Sequence, residues 1–274
     1  MKGKVLLRTL WLQKLDWDQT LSCDEIKKFK RFCSDIGKLF DFGMLRRCYD
    51  DHASTDLFVF CDASKVMYGF ASYIRSKTDK FIECNLLFSK VKSAPLKTKS
   101  LPTLELMAVF LAFKCMKSIL CSIKSNIMQI FICLDAQIVL SWILSEKVKS
   151  KNVFADNRIR DIIKFKQDIE AEFKVEFIFK YVPSAQNSSD FITRGISFSE
   201  FESKIEEWVH GPIFLKNEPI MWPESSLNCL SSSSKILTNR VILESRQPIL
   251  NLKSFSSLSK VFRITAFIFF SSQN

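Results

Sequence analysis

Four acidic residues stand where a carboxylate could take part in chemistry. Asp62 and Asp135 each follow a run of apolar residues typical of a buried strand. Glu105 lies one turn into a segment with apolar residues at helical spacing, and Asp190 follows a third apolar run by a short loop. Gathered carboxylates repel one another, so their pKa values rise unless a cation neutralises them. Hard divalent cations such as Mg²⁺ or Mn²⁺ prefer such oxygen ligands, and two of them could clamp and hydrolyse a phosphodiester.

Each of these residues also has a structural interpretation. An aspartate at a strand end is typical of a turn or a helix N-cap, which applies to Asp62 and Asp135. Glu105 could interact with the helix dipole in the first turn, and Asp190 could form an Asx-turn. The joint placement of the four strengthens the metal-site hypothesis, although the structural interpretations stay open on these residues alone.

The spacing of apolar residues predicts the elements that must position these carboxylates. The predicted strands are 57–61, 68–74, 82–88, 128–134 and 175–182. The predicted helices are one that opens at Pro102, then 136–144, 153–173 and a short helix carrying Asp190. A basic loop, 90–99, is expected between the third strand and the first of these helices.

This order of elements indicates an α/β three-layer fold, with a five-stranded mixed sheet flanked by helices over residues 57–195. Neighbouring strands that end in Asp62 and Asp135 would bring two carboxylates to one edge of the sheet. Ala108 and Ala112 share a helix face with Glu105, so the helix could lie close on the sheet and direct Glu105 to the same edge.

The flanks differ from this central region. Residues 1–50 are amphipathic and predicted helical, with a capping box at Ser22 and Glu25. A helix is expected over 199–209, and the Ser-rich stretch 225–234 is typical of a linker. We therefore expect a helical extension over 1–50 and an irregular, partly disordered tail over 196–274.

Composition limits the function. The formal net charge of +11 over 274 residues favours a polyanionic partner such as nucleic acid, although an anionic membrane surface or a merely basic protein would also fit. Nine cysteines without a C-x-x-C pair indicate reduced thiols in the cytoplasm or nucleus rather than a disulfide framework or zinc site. Two histidines, far apart, argue against a His-based nucleophile or zinc centre, and no apolar run is long enough to span a bilayer.

Short sequence words add a family resemblance. They are, in chain order, Val59-Phe60-Cys61-Asp62-Ala63-Ser64 with Tyr68-Gly69; Ser89-Lys90; Ala94-Pro95-Leu96-Lys97; Leu101-Pro102-Thr103-Leu104-Glu105-Leu106; Asp135 with Ile138-Val139-Leu140-Ser141-Trp142-Ile143; Phe154-Ala155-Asp156-Asn157-Arg158-Ile159; and Tyr181-Val182-Pro183-Ser184 with Asn187, Asp190 and Arg194-Gly195. Together they resemble the ribonuclease H-like domain of BEL/Pao LTR retrotransposon polyproteins. The flanks resemble the same polyprotein: 1–50 is similar to the connection after the polymerase, and 196–274 to the linker and stretch before the integrase.

The resemblance implies metal-dependent cleavage of the RNA strand of an RNA·DNA hybrid during reverse transcription. Asp62 would bridge two ions, and Glu105, Asp135 and Asp190 would complete their coordination. The implied substrate contacts are Ser64, Lys97, Lys99, Asn187 and Arg194. The two lysines would equally suit a solvated loop, and Trp142 is expected in the core. The reverse transcriptase or integrase region of a parent polyprotein is an implied partner, and a membrane is not.

Four positions depart from the family pattern. Thr103 stands where arginine is common, Ala136 where serine is usual, and Ser188-Ser189 where Pro-Ala is frequent. The sequence therefore keeps three hypotheses open: an active hybrid-specific nuclease, a catalytically decayed nucleic-acid-binding or interaction module, and a connection module whose 1–50 region docks on a polymerase.

Overall fold

The computed structural model describes residues 2–16, 18–38, 48–49, 53–97, 99–123, 126–146, 152–196 and 198–223. The expected linker 225–234 and the remainder of the tail lie outside them. Among the described residues, no helix combines the length and the apolar character needed to cross a bilayer.

A five-stranded mixed sheet forms the centre of the fold. Its strands are β1 Ser54–Ala63, β2 Met67–Lys77, β3 Ile82–Ser93, β4 Ile127–Leu134 and β5 Glu176–Tyr181, in the order β3-β2-β1-β4-β5. β1, β2 and β3 form the expected antiparallel meander, while β4 and β5 run parallel to β1. Parallel strands need long crossovers, which the intervening helices provide. The predicted α/β fold with a mixed sheet and flanking helices is confirmed.

Eight α-helices accompany the sheet in the described residues. They are α1 Lys2–Leu12, α2 Cys23–Gly37, α3 Leu101–Ser122, α4 Gln137–Leu144, α5 Val153–Phe173, α6 Asp190–Thr193, α7 Phe198–Ser203 and α8 Ile205–His210. The capping box that begins α2 is present, since the Ser22 amide donates to the Glu25 carboxylate at 2.8 Å and the Glu25 amide donates to Ser22 Oγ at 3.3 Å.

Several boundaries differ from the sequence prediction, among them the end of β3 and the helix expected over 199–209. β3 continues to Ser93, so the basic loop begins later than expected; Lys90 and Lys92 are exposed on this edge strand, where lysine is commonly tolerated. The helix expected over 199–209 is two short helices, because Lys204 leaves the helical conformation between α7 and α8.

The first face of the sheet is covered by α3, α4 and α5. α3 packs on β1 and β2, where Ala108 and Ala112 are fully buried. Trp142 of α4 is buried in the same core, as expected. The small side chains of α3 allow the close approach that its sequence predicted.

The second face is covered by the segment after α7. Side chains alternate between the two faces along a strand, so Phe58 and Phe60 point away from α3. They pack with Phe214, Leu215 and Trp222, which completes a third layer. This packing lies beyond the expected domain boundary at residue 195, and that boundary stays a prediction.

Candidate metal centre

Three carboxylates meet at one edge of the sheet. Asp62, Asp135 and Asp190 each offer an oxygen, and these three oxygens lie within 4.8 Å of one another. The sheet register explains the first two, because Cys61 of β1 pairs with Leu134 of the parallel strand β4 and each aspartate follows one of these residues. Asp190 reaches the same edge as the first residue of α6, which follows β5 by a short 3-10 turn.

Asp62 is the most deeply held of the three. Its side chain is 2% exposed, and the Thr193 hydroxyl of α6 donates a hydrogen bond to Asp62 Oδ2. The buried Asn187 amide donates to the carbonyl oxygen of Cys61 at 3.0 Å. The segment that carries Asp190 is therefore tied to the end of β1 at two points.

On its other side, Asp62 pairs with Gly69 of β2. A Cβ at Gly69 would lie 2.4 Å from the Lys90 carbonyl oxygen and 2.9 Å from Val91 Cα of β3. The close approach of β2 and β3 beside the centre therefore requires glycine at this position.

Burial and the nearby negative charges raise the pKa values of Asp62 and Asp190, so these two carboxyl groups hold their protons more tightly than usual. Burial raises the pKa of Asp62 from 3.8 to about 7, and the charges of Asp190 and Asp135 add to the rise while the Thr193 hydrogen bond opposes it. Burial also raises the pKa of Asp190, against the opposing effect of the Arg194 guanidinium. Such a site is electrostatically unfavourable in its fully ionised form without a cation.

Glu105 stands beside this cluster rather than inside it. It is half-buried on α3, and burial raises its pKa from 4.5 to about 7, with the charge of Asp135 adding to the shift. It is not within 4.8 Å of all three aspartates. The structure thus brings three of the four predicted carboxylates together and places Glu105 close enough to Asp135 to experience its charge, and the role of all four stays a prediction.

The residues present fit a hard divalent cation. Oδ1 of Asp190 is buried and has no hydrogen-bond donor among the described residues, although an Arg194 guanidinium nitrogen lies 3.3 Å away. The donor set is composed of carboxylate oxygens, as Mg²⁺ and Mn²⁺ prefer. A bound cation would give this buried oxygen a second positive neighbour besides the Arg194 guanidinium.

Three predicted substrate contacts surround α6. Ser64 Oγ donates to the Thr193 carbonyl at 2.9 Å and accepts the Met67 amide at 3.1 Å. Asn187 is buried, and Arg194 is exposed, with one nitrogen 3.2 Å from Ser184 Oγ. In this structure Ser64 and Asn187 link α6 and the turn before it to the end of β1 by hydrogen bonds. Their contact with substrate stays a prediction.

The two predicted lysine contacts lie before α3. Lys97 is exposed, and Lys99 Nζ lies 4.3 Å from the centroid of the Phe154 ring. Their role toward substrate also stays a prediction.

Sequence reasoning missed Thr193. It lies three residues after Asp190, so the two residues share a face of α6. That spacing was the available signal, but the partner of its hydroxyl, Asp62, is distant in sequence and could not be inferred from it.

Comparison with known proteins identifies the family. Residues 1–136 match the model of the Pao retrotransposon-like RNaseH-like domain. This region, about half of the chain, is similar to that family. The matched residues include Asp62, Glu105 and Asp135 and end before Asp190. The resemblance predicted from the sequence words is thus confirmed. No curated protein matches the chain.

Solved ribonuclease H structures are similar at low identity. The N-terminal RNase H domain of Rv2228c from Mycobacterium tuberculosis, solved as a fusion with maltose binding protein, is 13% identical, with coverage of 55% of this chain and 99% of that one and a TM-score of 0.37. RNase H1 from Halobacterium salinarum is 10% identical, with coverage of 49% and 89% and a TM-score of 0.33. LC11-RNase H1 in complex with an RNA/DNA hybrid is 12% identical, with coverage of 49% and 88% and a TM-score of 0.34. The fold is therefore assigned from the strand order of this chain's own sheet, β3-β2-β1-β4-β5.

Proposed function

We propose that this chain is a metal-dependent endonuclease that hydrolyses the RNA strand of RNA·DNA hybrids. The observation that carries the proposal is the convergence of Asp62, Asp135 and Asp190 within 4.8 Å at the sheet edge. The similarity of residues 1–136 to a retrotransposon RNaseH-like family supports it, because reverse transcription produces such hybrids. The net charge of +11 suits a polyanionic substrate.

Mg²⁺ or Mn²⁺, in a pair of ions, is the proposed cofactor. Asp62, Asp135 and Asp190 would hold the ions, with Glu105 as the additional carboxylate next to Asp135. Asp62, which the family resemblance assigns to both ions, is also the most deeply buried of the three aspartates. When bound, the ions would help water to attack the phosphodiester and would stabilise the leaving oxygen.

The protein's own groups prepare this centre. Thr193 fixes the orientation of the Asp62 carboxylate and favours its ionised form. Arg194 partly neutralises Asp190 and must yield part of that contact when a cation binds. Glu105, with a pKa of about 7, can exchange a proton with water near neutral pH, whether it acts as a ligand or beside the ligands.

A cleavage assay tests the proposal. The chain is incubated with a labelled RNA·DNA hybrid and Mg²⁺ or Mn²⁺, with single-stranded RNA and duplex DNA of the same sequence as substrate controls. We expect metal-dependent cleavage of the RNA in the hybrid, abolished in Asp62→Asn and by chelation. A wild-type chain that cleaves no faster than Asp62→Asn would refute the nuclease proposal.

The second candidate is a decayed module that binds nucleic acid without cleaving it. The contact between Arg194 and Asp190 favours it, since an intramolecular cation already occupies part of the centre. This candidate predicts that salt-dependent hybrid binding persists unchanged in Asp135→Asn and that no divalent metal restores cleavage.

A polyprotein partner, such as the reverse transcriptase or integrase region, belongs to the same proposal. α1 has no buried residue and exposes apolar side chains, namely Leu7, Trp11 and Leu12. These suit a docking face on a polymerase. Association of the purified chain with the reverse transcriptase of the same element, weakened by Trp11→Ala, would support it; equal association of both would contradict it.

A further inference from the structure

Cations and aromatic rings alternate along the surface formed by α3 and α5. Lys99 Nζ lies 4.3 Å from the Phe154 ring, and the Arg158 guanidinium carbon lies 5.2 Å from that ring and 4.4 Å from the Phe110 ring. Lys114 Nζ lies 5.6 Å from the centroid of the same Phe110 ring. These five residues form a continuous cation–aromatic ladder.

The ladder begins at the edge of the sheet that holds the carboxylates. α3 and α5 run side by side in the same direction. Lys99 contacts Phe154 near their starts, and Lys117 forms a 2.7 Å ion pair with Glu172 near their ends. α3 starts shortly after β3, whose last residue Ser93 pairs with Met67 at the carboxylate edge of β2.

Tyr68 gives a second marker of this position. It pairs with Ala63, the residue after Asp62. Burial raises the pKa of Tyr68, and the positive charge of Arg158 opposes that rise, so the guanidinium is close to this end of the sheet. The Lys99 end of the ladder therefore lies toward the same end of the sheet as the candidate metal centre.

Among the described residues, the positive charges of the ladder meet a carboxylate at ion-pair distance only at Arg158. Arg158 forms one ion pair, with Asp161 at 2.7 Å. In the described part of the chain, Lys99 and Lys114 have aromatic partners and no carboxylate within ion-pair distance. An aromatic face orients a cation without cancelling its charge. The edge of a stacked guanidinium also keeps N–H groups free for a planar or tetrahedral anion.

We propose that this ladder binds the sugar–phosphate backbone of the nucleic acid whose scissile bond lies at the Asp62, Asp135 and Asp190 edge. Lys99, Arg158 and Lys114 contact successive phosphates, and Phe154 and Phe110 are positioning residues that hold them in line. The inference rests on the proposed function for the identity of the substrate, and it adds Arg158, Lys114 and the two rings to the residues that recognise it.

Hybrid binding as a function of salt tests the charges. Fluorescence anisotropy with a labelled RNA·DNA hybrid, without added divalent metal, is compared for the full chain and for Lys99→Gln, Arg158→Gln and Lys114→Gln. Each variant is expected to bind about three- to tenfold more weakly and to lower the slope of log affinity against log salt by about 1. The matched control is Lys117→Gln, which makes the same charge change on α3 but removes a lysine already paired with Glu172; it is expected to bind like wild type.

Phe154→Leu tests positioning, because it removes a ring and leaves the net charge unchanged. We expect weaker hybrid binding and a smaller salt slope, with thermal unfolding recorded for the same sample. A lower unfolding temperature with wild-type affinity and slope would assign the ring to packing alone and overturn its positioning role.

The outcomes separate the ladder from the nuclease. If the wild-type protein does not cleave the hybrid but binds it more tightly than the three charge variants do, the ladder proposal is supported and the nuclease proposal is refuted. Wild-type protein that cleaves, with all three charge variants binding like Lys117→Gln, overturns the ladder alone.

Discussion

The hydroxyl of Thr193 controls how readily Asp62 gives up its proton. Its hydrogen bond is the strongest influence that lowers the pKa of Asp62 against the effect of burial. Thr193→Val keeps the shape but removes the donor, so the pKa of Asp62 should rise further. We expect the acidic limb of the pH–rate profile, measured at subsaturating Mg²⁺, to move up by about one pH unit. Thr193→Ser, which retains a hydroxyl, is the control, and coincident profiles for the valine and serine variants would contradict the prediction.

The raised pKa values also predict how stability depends on pH. Without metal, the pKa values of Asp62 and Glu105 in the folded state lie near 7, above their ordinary values of 3.8 and 4.5. The folded state therefore binds protons more tightly than the unfolded state in this range, and stability falls as pH rises from about 4 to about 7. Chemical denaturation of the metal-free chain across this pH range measures the fall, and a free energy of unfolding that stays constant would contradict it.

Metal should reverse this loss. A divalent cation binds the ionised carboxylates, so it should stabilise the protein more at pH 8 than at pH 5. Thermal unfolding with and without Mg²⁺ at the two pH values measures this, and chelation should restore the metal-free curve. Asp62→Asn should lose most of the metal effect at pH 8. Equal stabilisation by Mg²⁺ at both pH values would count against the metal centre.

At the scale of elements, the approach of β2 to β3 beside the centre depends on Gly69. A methyl group there would collide with backbone atoms of Lys90 and Val91, which cannot move without separating the strands. Gly69→Ala should therefore destabilise the fold by about 1–3 kcal/mol, measured by chemical denaturation. Gly37→Ala is the matched control, because Gly37 ends α2 with open space around it and alanine favours a helix. Similar losses in both variants would show that the β2–β3 contact is not the cause.

The sequence predicted elements well where one local period dominates. α5 spans the predicted residues 153–173, since its apolar residues repeat at helical spacing throughout. β1 extends earlier than predicted because it begins with the polar residues Ser54, Thr55 and Asp56. Thr55 donates to the Asn126 carbonyl at 2.9 Å, and an Asp56 oxygen lies 3.6 Å from Arg75. Those partners lie far away in sequence, so local periodicity could not reveal the start of the strand.

The candidate site was predictable to a similar extent. Asp62 and Asp135 were found because each follows an apolar strand, and adjacent strands then bring them together. The position of Glu105 outside the cluster depends on where α3 lies across the sheet, which spacing along the helix does not determine. The ladder was missed for the same reason, since Arg158 meets Phe110 only after α5 packs on α3.

At the scale of the whole molecule, the segment around Trp222 holds the second face of the sheet. Its ring makes edge contacts with Phe58 and Phe131 at 5.2 and 5.3 Å. Arg75 of β2 fastens the same segment by donating to the carbonyl oxygens of Leu215 at 2.8 Å and of Asn217 at 3.1 Å. No local sequence signal indicated this cover, because its contacts join residues about 140 positions apart.

Loss of this cover should destabilise the fold. Trp222→Ala removes a buried ring and should lower the free energy of unfolding by about 3 kcal/mol or more. Trp11→Ala is the matched control, since Trp11 is 69% exposed on α1 and its loss should change stability by about 0.5 kcal/mol or less. Urea unfolding compares the two, and equal effects would indicate that the segment does not stabilise the sheet.

The hydrogen bond between Thr193 and Asp62 joins residues 131 positions apart. Contacts of such long range form late in folding, because the entropy of closing a long loop must first be overcome. Asp190 follows β5 in the chain, so the third carboxylate can join the other two only after β5 has been synthesised. A chain still emerging from the ribosome would therefore carry no assembled centre, which would delay any cutting of RNA until synthesis and folding of this region are complete. Metal affinity would in turn serve as a kinetic reporter of the last step of folding.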